Sequence, residues 1–254
     1  MSTAYPGLYG FREVAGLPTT DGRRVRPGVL YRSGTPQFLS TDTAWRLYTA
    51  TRIRTVVDLR LPHEVDREGS GPLAELPVRH LRVPFQARNL VAPDSAVAPM
   101  DPEDPLVTSY LGYLDSEPTP IAVIVTELAR PNALPALIHC TVGKDRTGAA
   151  VALLLDAIGV CRDAIAADYA AGAAEIAPAM ERLRSMASYG DAIDIYPPEA
   201  WQAPPEVAVR FLTAVDTRFG GVRALLARHG VDDATLAELT NRLTEPFDTE
   251  GESP

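Results

Sequence analysis

The amino-acid sequence predicts an α/β fold: a central, mostly parallel sheet flanked by helices, followed by a C-terminal helical extension. Three observations carry that expectation. Thr55-Val56-Val57-Asp58-Leu59 and Ala136-Leu137-Ile138-His139 are short apolar runs, as parallel strands buried on both faces should be. Helical patterns lie between these runs, and after residue 160 only helical patterns recur, so strands mix with helices early and helices alone come later. Hydrophobic residues make up 46% and charged residues 22% of 254, which suits a folded protein with a real core and gives disorder no support. With no repeat and no low-complexity linker, residues 1–254 are expected to form one domain.

In chain order, Asp21-Gly22 signals a tight turn, and Val25 to Arg32, with Pro27-Gly28 inside, reads as a short irregular strand region. Ser40 or Thr41 can cap a helix running through Trp45 to Ala50. After the strand at 55–59, Val78 to Val83 alternates apolar and polar residues and predicts another strand. Between Pro84 and Pro105 the chain is rich in Pro, Ala and Asp without periodicity and reads as a long loop, of the kind that is functional or mobile. Ile121 to Ala129 has helical spacing and stops at Arg130-Pro131-Asn132. The strand at 136–139 runs straight into Cys140, and from Thr147 an almost wholly apolar stretch predicts a buried helix ended by Gly159. Asp163 to Ala171, Ile176 to Ser188, Pro205 to Arg218, Val222 to His229 and Asp232 to Leu243 read as helices, with an irregular stretch at 189–204.

The chemistry concentrates where the central strand meets the buried helix. Cys140-Thr141-Val142-Gly143-Lys144-Asp145-Arg146 is a short loop from a strand end to a helix start, a geometry that turns successive N–H groups inward and cradles an anion of phosphoryl size. A helix N-terminus and cationic neighbours favour the thiolate of a cysteine at the base of such a cradle. Arg146 can hold two oxygens bidentately, Gly143 allows the tight turn, Thr147 can donate its hydroxyl to the sulfur, and His139 supports the loop from the strand. Lys144 is the only lysine in the chain, against 23 arginines. A coding bias explains the missing lysines better than it explains this one, whose site then wants a compact ammonium. Cys161, after Gly159-Val160 and without a cationic loop, reads as inert.

His139-Cys140 through Arg146-Thr147-Gly148 resembles the H-C-x5-R-[ST] signature of cysteine-dependent protein tyrosine phosphatases. The Gly-Lys-Asp-Arg variant, with Phe11-Arg12-Glu13-Val14-Ala15-Gly16, Leu30-Tyr31-Arg32-Ser33, Val57-Asp58-Leu59-Arg60 and Gly221 to Leu236, is similar to the atypical bacterial family that includes mycobacterial protein tyrosine phosphatase B. The resemblance implies a cysteine-phosphatase sheet domain and hydrolysis of phosphotyrosine, with activity on phosphoserine, phosphothreonine or phosphoinositides open. It also implies catalysis by Cys140 and Arg146, substrate binding by Thr141, Val142, Gly143, Lys144, Asp145 and Arg146, no metal or other cofactor, and a helical lid. A lid is expected within the least motif-like span, about 161–218, and a disordered acidic tail over about 246–254.

A phenolate leaving group needs a proton donor. Asp145, fixed beside the phosphate, is the first candidate, as general acid or as its organiser. Asp58 is the second, with a turn cap paired to Arg60 or Arg146 as its alternative. Asp94, Asp101 and Asp104 in the Pro-rich loop are further candidates.

Other readings fit less well. A nucleotide-binding P-loop needs Gly where Ile138 stands and Ser or Thr where Asp145 stands. A rhodanese-type sulfurtransferase suits the ring of a tetrahedral phosphate less, and intact Cys140 and Arg146 oppose a pseudophosphatase. The net charge of −9 argues against an exposed nucleic-acid backbone as partner. Arg23, Arg24, Arg26 and Arg32 cluster near the N-terminus, as a solvated face or as contacts to extra phosphates. No apolar stretch is long enough for a membrane span, no secretion signal opens the chain, and two cysteines suit a reducing compartment. A monomeric, cytoplasmic protein is expected, with signal-independent export left open.

Overall fold

The computed structural model describes residues 4–86, 104–115, 119–189 and 202–247. In chain order the elements are β1 (Arg12–Glu13), β2 (Arg23–Val25), β3 (Leu30–Ser33), α1 (Thr41–Thr51), β4 (Thr55–Asp58), α2 (Pro62–Glu68), β5 (Arg79–Arg82), α3 (Pro105–Gly112), α4 (Pro120–Leu128), β6 (Ala136–His139), α5 (Asp145–Ala157), α6 (Arg162–Ala171), α7 (Ala173–Leu183), α8 (Pro205–Phe219), α9 (Val222–Arg228), α10 (Asp233–Leu243) and β7 (Thr244–Pro246). A five-stranded sheet runs in the order β1-β3-β6-β4-β5, parallel except for β1. The two predicted runs, β4 and β6, lie side by side at its centre, with Thr55 to Asp58 opposite Ala136 to His139.

Strand alternation divides the core. Leu30, Val57 and Ile138 face the larger cluster, formed with α3 to α10, whereas Tyr31, Val56 and Leu137 face a smaller one closed by Leu47 of α1 with Ile53 and Leu73. The buried helix α5 lies against β6 and is covered by α4, α6, α8 and α9, so Val151, Leu153, Leu154 and Leu155 have no exposed face. Ser40 caps α1, its hydroxyl accepting the Thr43 N–H at 3.2 Å.

Three elements depart from expectation. α2 and α3 are helices the periodicity did not reveal, since each is short and starts at a proline. The chain beyond α10 returns as β7, which pairs antiparallel with β2, so the C-terminal part is not helical alone. Arg24 meets Glu245 at 3.0 Å, while Arg23 and Arg26 reach Thr244, so these three arginines fasten that strand. Of the span in which a lid is expected, α6, α7 and α8 all bury side chains in the main core, among them Ile165, Tyr169, Ile176, Met180, Leu183, Phe211 and Leu212. Residues 190–201, most of the Pro-rich loop with Asp94 and Asp101, and the tail from 248 lie outside the described residues. Among the described residues no helix is long and apolar enough to cross a membrane.

Phe211 of α8 is buried edge-on against Tyr110 of α3, with ring centres 5.5 Å apart. Phe211→Ala should therefore lower the unfolding free energy by about 3–5 kcal/mol. Denaturant unfolding measures this, and a loss under about 1 kcal/mol would mean that the α3–α8 contact is not part of the core.

Candidate active site

The loop between β6 and α5 is held by its carbonyls. Cys140 C=O lies 3.1 Å from His139 Nδ1, Thr141 C=O accepts from Thr35 N–H at 2.9 Å, Gly143 C=O accepts from Arg32 Nη2 at 3.2 Å, and Lys144 C=O accepts from Gly148 N–H at 2.7 Å. In a trans peptide the C=O and the next N–H point opposite ways, so these partners aim the N–H groups of Thr141, Val142, Lys144 and Asp145 to the other side. Gly143 N–H turns onto Cys140 Sγ at 3.2 Å. The loop thus turns these amides away from its carbonyl donors, beside a buried sulfur at the N-terminus of a 13-residue helix. Gly143 has φ +85°, and a Cβ there would fall 2.5 Å from the backbone of Ser33 and Gly34, so only glycine lets the loop lie against the end of β3.

Two expectations need correction. The Thr147 hydroxyl makes no hydrogen bond to the sulfur: it is fully buried without a partner, and the bond to Sγ comes from Gly143 instead. Asp58 is not free to donate a proton. Its carboxylate accepts from Arg60 Nε at 3.0 and 3.1 Å, from Arg60 Nη2 at 2.6 Å and from the Arg60 N–H at 3.0 Å. Burial pushes the Asp58 carboxyl up, but His139 and the Arg60 bonds outweigh it and hold it well below its ordinary value. Asp58 thus fixes Arg60 and lies 3.8 Å from His139 Nε2. His139 is lowered chiefly by burial, against the pull of Asp58, and its Nδ1 donates toward the Cys140 carbonyl. The third candidate that can be located, Asp104, caps α3 and pairs with Arg210 at 2.6 Å.

Arg146 lies in the first turn of α5. Its Nη1 donates to Glu64 Oε2 at 2.6 Å and its Nη2 to Glu64 Oε1 at 3.0 Å, so the end of the fork is taken by a carboxylate on α2. Nη2 also reaches Thr141 Oγ1 at 3.0 Å and the Tyr189 hydroxyl at 3.1 Å, and Tyr189 itself donates to Glu64. Glu64 escaped sequence reasoning. Its one signal is Pro62 followed two residues later by Glu, a helix-start pattern, and its carboxylate does accept the Leu61 N–H at 2.7 Å. Nothing in that pattern points to an arginine 82 residues away. Burial pushes Glu64 up, but the bonds and charge of Arg146, with Tyr189 and Leu61, leave it lowered to about 2.

Lys144 and Asp145 complete the rim. The side chain of Lys144 is only 3% exposed, so the lone lysine is not a solvent-facing loop residue, and its Nζ sits 3.1 Å from Asp145 Oδ1. The same oxygen accepts from the Tyr110 hydroxyl at 2.6 Å, and Tyr169 stands 2.7 Å behind Tyr110. Burial and the charge of Asp145 push both phenols up, so neither ionises near neutrality. Asp145 is 37% exposed, which leaves part of its carboxyl open beside the loop. The structure therefore gathers Cys140, Thr141, Val142, Gly143, Lys144, Asp145 and Arg146 around one cradle, with Thr147 behind it, His139 and Asp58 beneath it, and Glu64, Tyr110 and Tyr189 as unforeseen neighbours. No group of His, Cys, Asp or Glu that could hold a metal ion occurs among the described residues.

Comparison with known proteins agrees with this geometry. The sequence model of the tyrosine phosphatase family matches residues 3–245. The chain belongs to the tyrosine phosphatase family. A Mycobacterium tuberculosis protein named triple specificity protein phosphatase PtpB is 34% identical over 200 residues, covering 65% of this chain and 66% of its own length. A Cupriavidus necator protein assigned by name to the tyrosine-protein phosphatases is 32% identical over 168 residues, covering 65% of this chain and 61% of its own. A Nostoc commune tyrosine-protein phosphatase is 28% identical over 217 residues, covering 80% and 70%. The chain thus spans less than two thirds of the length of the first two relatives.

In this tyrosine phosphatase family member, the Glu64–Arg146 pair makes an acid-side prediction. A carboxyl whose folded value is about 2 against an ordinary 4.5 contributes stability that is fully present above 4.5 and lost as the pH falls through 2. Glu64→Gln should therefore be less stable at neutral pH and lose stability less steeply between those values. Parallel acid limbs for the two proteins in urea unfolding would show that the pair is not formed in solution.

Proposed function

We propose that this chain is a cysteine-dependent phosphatase that hydrolyses aryl phosphates, phosphotyrosine first among them, through a phosphocysteine intermediate. The observation that carries the reading is the buried Cys140 sulfur, which accepts from the Gly143 N–H and interacts electrostatically with Arg146. Cys140 Sγ attacks phosphorus while the P–O bond to the aryl group breaks and Asp145 protonates the departing oxygen. Water then attacks the phosphocysteine, gives its proton to Asp145, and releases phosphate as the P–S bond breaks and the thiolate returns. The inward amides and Arg146 stabilise the equatorial oxygens in both steps, in a site where fixed dipoles need no reorganisation. Lys144 adds a compact positive charge and holds the Asp145 carboxylate at 3.1 Å, and Tyr110 steadies it from the opposite side at 2.6 Å.

Tyr189 contacts Nη2 of Arg146 and must leave that edge when a phosphate arrives, which supports a lid near Tyr189, within the expected span. The triple specificity in the name of the mycobacterial relative supports phosphoserine and phosphothreonine as further substrates. The form proposed is a cytoplasmic monomer, which its two free cysteines suit.

Cys140→Ser should abolish turnover of an aryl phosphate. Asp145→Asn should cost about a hundredfold on a poor leaving group and far less on a good one such as p-nitrophenol, as loss of general-acid help requires. Equal losses on both would remove the acid role from Asp145. Lys144 is open to its own test. A guanidinium is larger than the buried ammonium it would replace, so Lys144→Arg should lower kcat/KM about tenfold or more. Unchanged kinetics would return the lone lysine to coding bias.

A further inference from the structure

Of the four loop carbonyls held from outside, only Gly143 is held by a charged side chain from another strand. Arg32 of β3 is 2% exposed, an expensive place for a guanidinium unless its partners are fixed. Its Nη1 donates to Asp168 Oδ2 of α6 at 2.5 Å, and its Nη2 to the Gly143 carbonyl at 3.2 Å. Asp168 is held in turn by Arg12 of β1, through Nη2 to its carbonyl at 2.6 Å and Nε to Oδ1 at 3.4 Å. Arg12 and Arg32 are direct partners across the antiparallel β1–β3 pair, so two like charges stand side by side with one carboxylate between them. Burial and the charge of Arg32 lower Arg12 to about 10 despite Asp168, which shows how crowded the pair is. The close approach that brings α6 here depends on Gly148 of α5, where a Cβ would fall 2.7 Å from the Tyr169 ring.

We infer that Arg32, set by Asp168 and Arg12, is a positioning residue: by fixing the Gly143 carbonyl it aims the Lys144 N–H of the same peptide at the bound phosphoryl group. None of the three side chains need touch the substrate. Planarity carries the effect, because rotating that carbonyl rotates the N–H by the same angle. The inference rests on the phosphatase reading. It differs from a plain charge effect in sign: removing the negative charge of Asp168 would tighten anion binding if charge alone mattered, but loosens the carbonyl clamp if position matters.

The test measures inhibition by inorganic phosphate, with kcat and KM on an aryl phosphate, for wild type, Asp168→Asn and Asp168→Glu, each checked for folding by near-UV circular dichroism. Positioning predicts a phosphate Ki raised about tenfold in Asp168→Asn, the size of one charge-assisted hydrogen bond, and a smaller rise in the charge-preserving Asp168→Glu. A Ki unchanged or lowered in the folded variants would overturn the inference, even with a lower Tm. Asp168→Glu decides alone if Asp168→Asn does not fold. Wild-type protein that neither binds phosphate nor turns over the aryl phosphate would overturn the phosphatase reading instead.

Discussion

A loop that presents its amides to an anion must turn its carbonyls the other way, and each carbonyl buried there needs a donor. That constraint organises the region around Cys140. Thr35 and Arg32, from the end of β3 and the turn after it, supply two donors, His139 at the end of β6 a third, and the first turn of α5 a fourth. The parallel pairing that sets Ser33 opposite His139 brings these donors level with the loop, so the sheet register and the anion cradle are one arrangement.

Around the cradle, buried charges are paired rather than avoided. Asp58 with Arg60, Glu64 with Arg146, and Asp168 with Arg32 are all ion pairs whose side chains are 15% exposed or less. Such pairs add little net stability over apolar packing, but breaking one leaves a stranded charge, so they fix geometry strongly. Each pair joins parts of the site: Glu64 ties α2 to the first turn of α5, Asp168 ties α6 to β3, and Asp58 with Arg60 sits under His139. Asp145 is the exception, with a neutral phenol and an ammonium as partners and part of its carboxyl exposed.

Much of this was legible in the chain. The runs 55–59 and 136–139 are apolar because they are buried on both faces, so their central place in the sheet could be read directly. The ten residues from His139 to Gly148 are local, and a loop so short between a strand and a helix has few conformations; its spacing alone located sulfur, arginine and glycine. Partners distant in sequence could not be read. Glu64, Tyr110, Asp168 and Tyr189 carry no motif of their own, and Tyr110 lies on a helix whose short apolar stretch comes after a proline-rich segment. Thr147 shows the opposite error, since its position implied a bond to sulfur that its hydroxyl does not make.

Residue order was enough for the α/β class and for the place of the loop from Cys140 to Arg146 between strand and helix, because these depend on local periodicity and on neighbours a few positions apart. Three-dimensional packing was needed to show that Asp58 is paired to Arg60, that the single lysine is buried, and that Arg146 and the Gly143 carbonyl are held by α2 and β3. The reason is physical: the state and direction of a charged group are set by burial and by partners across the fold, and neither is encoded near the group itself.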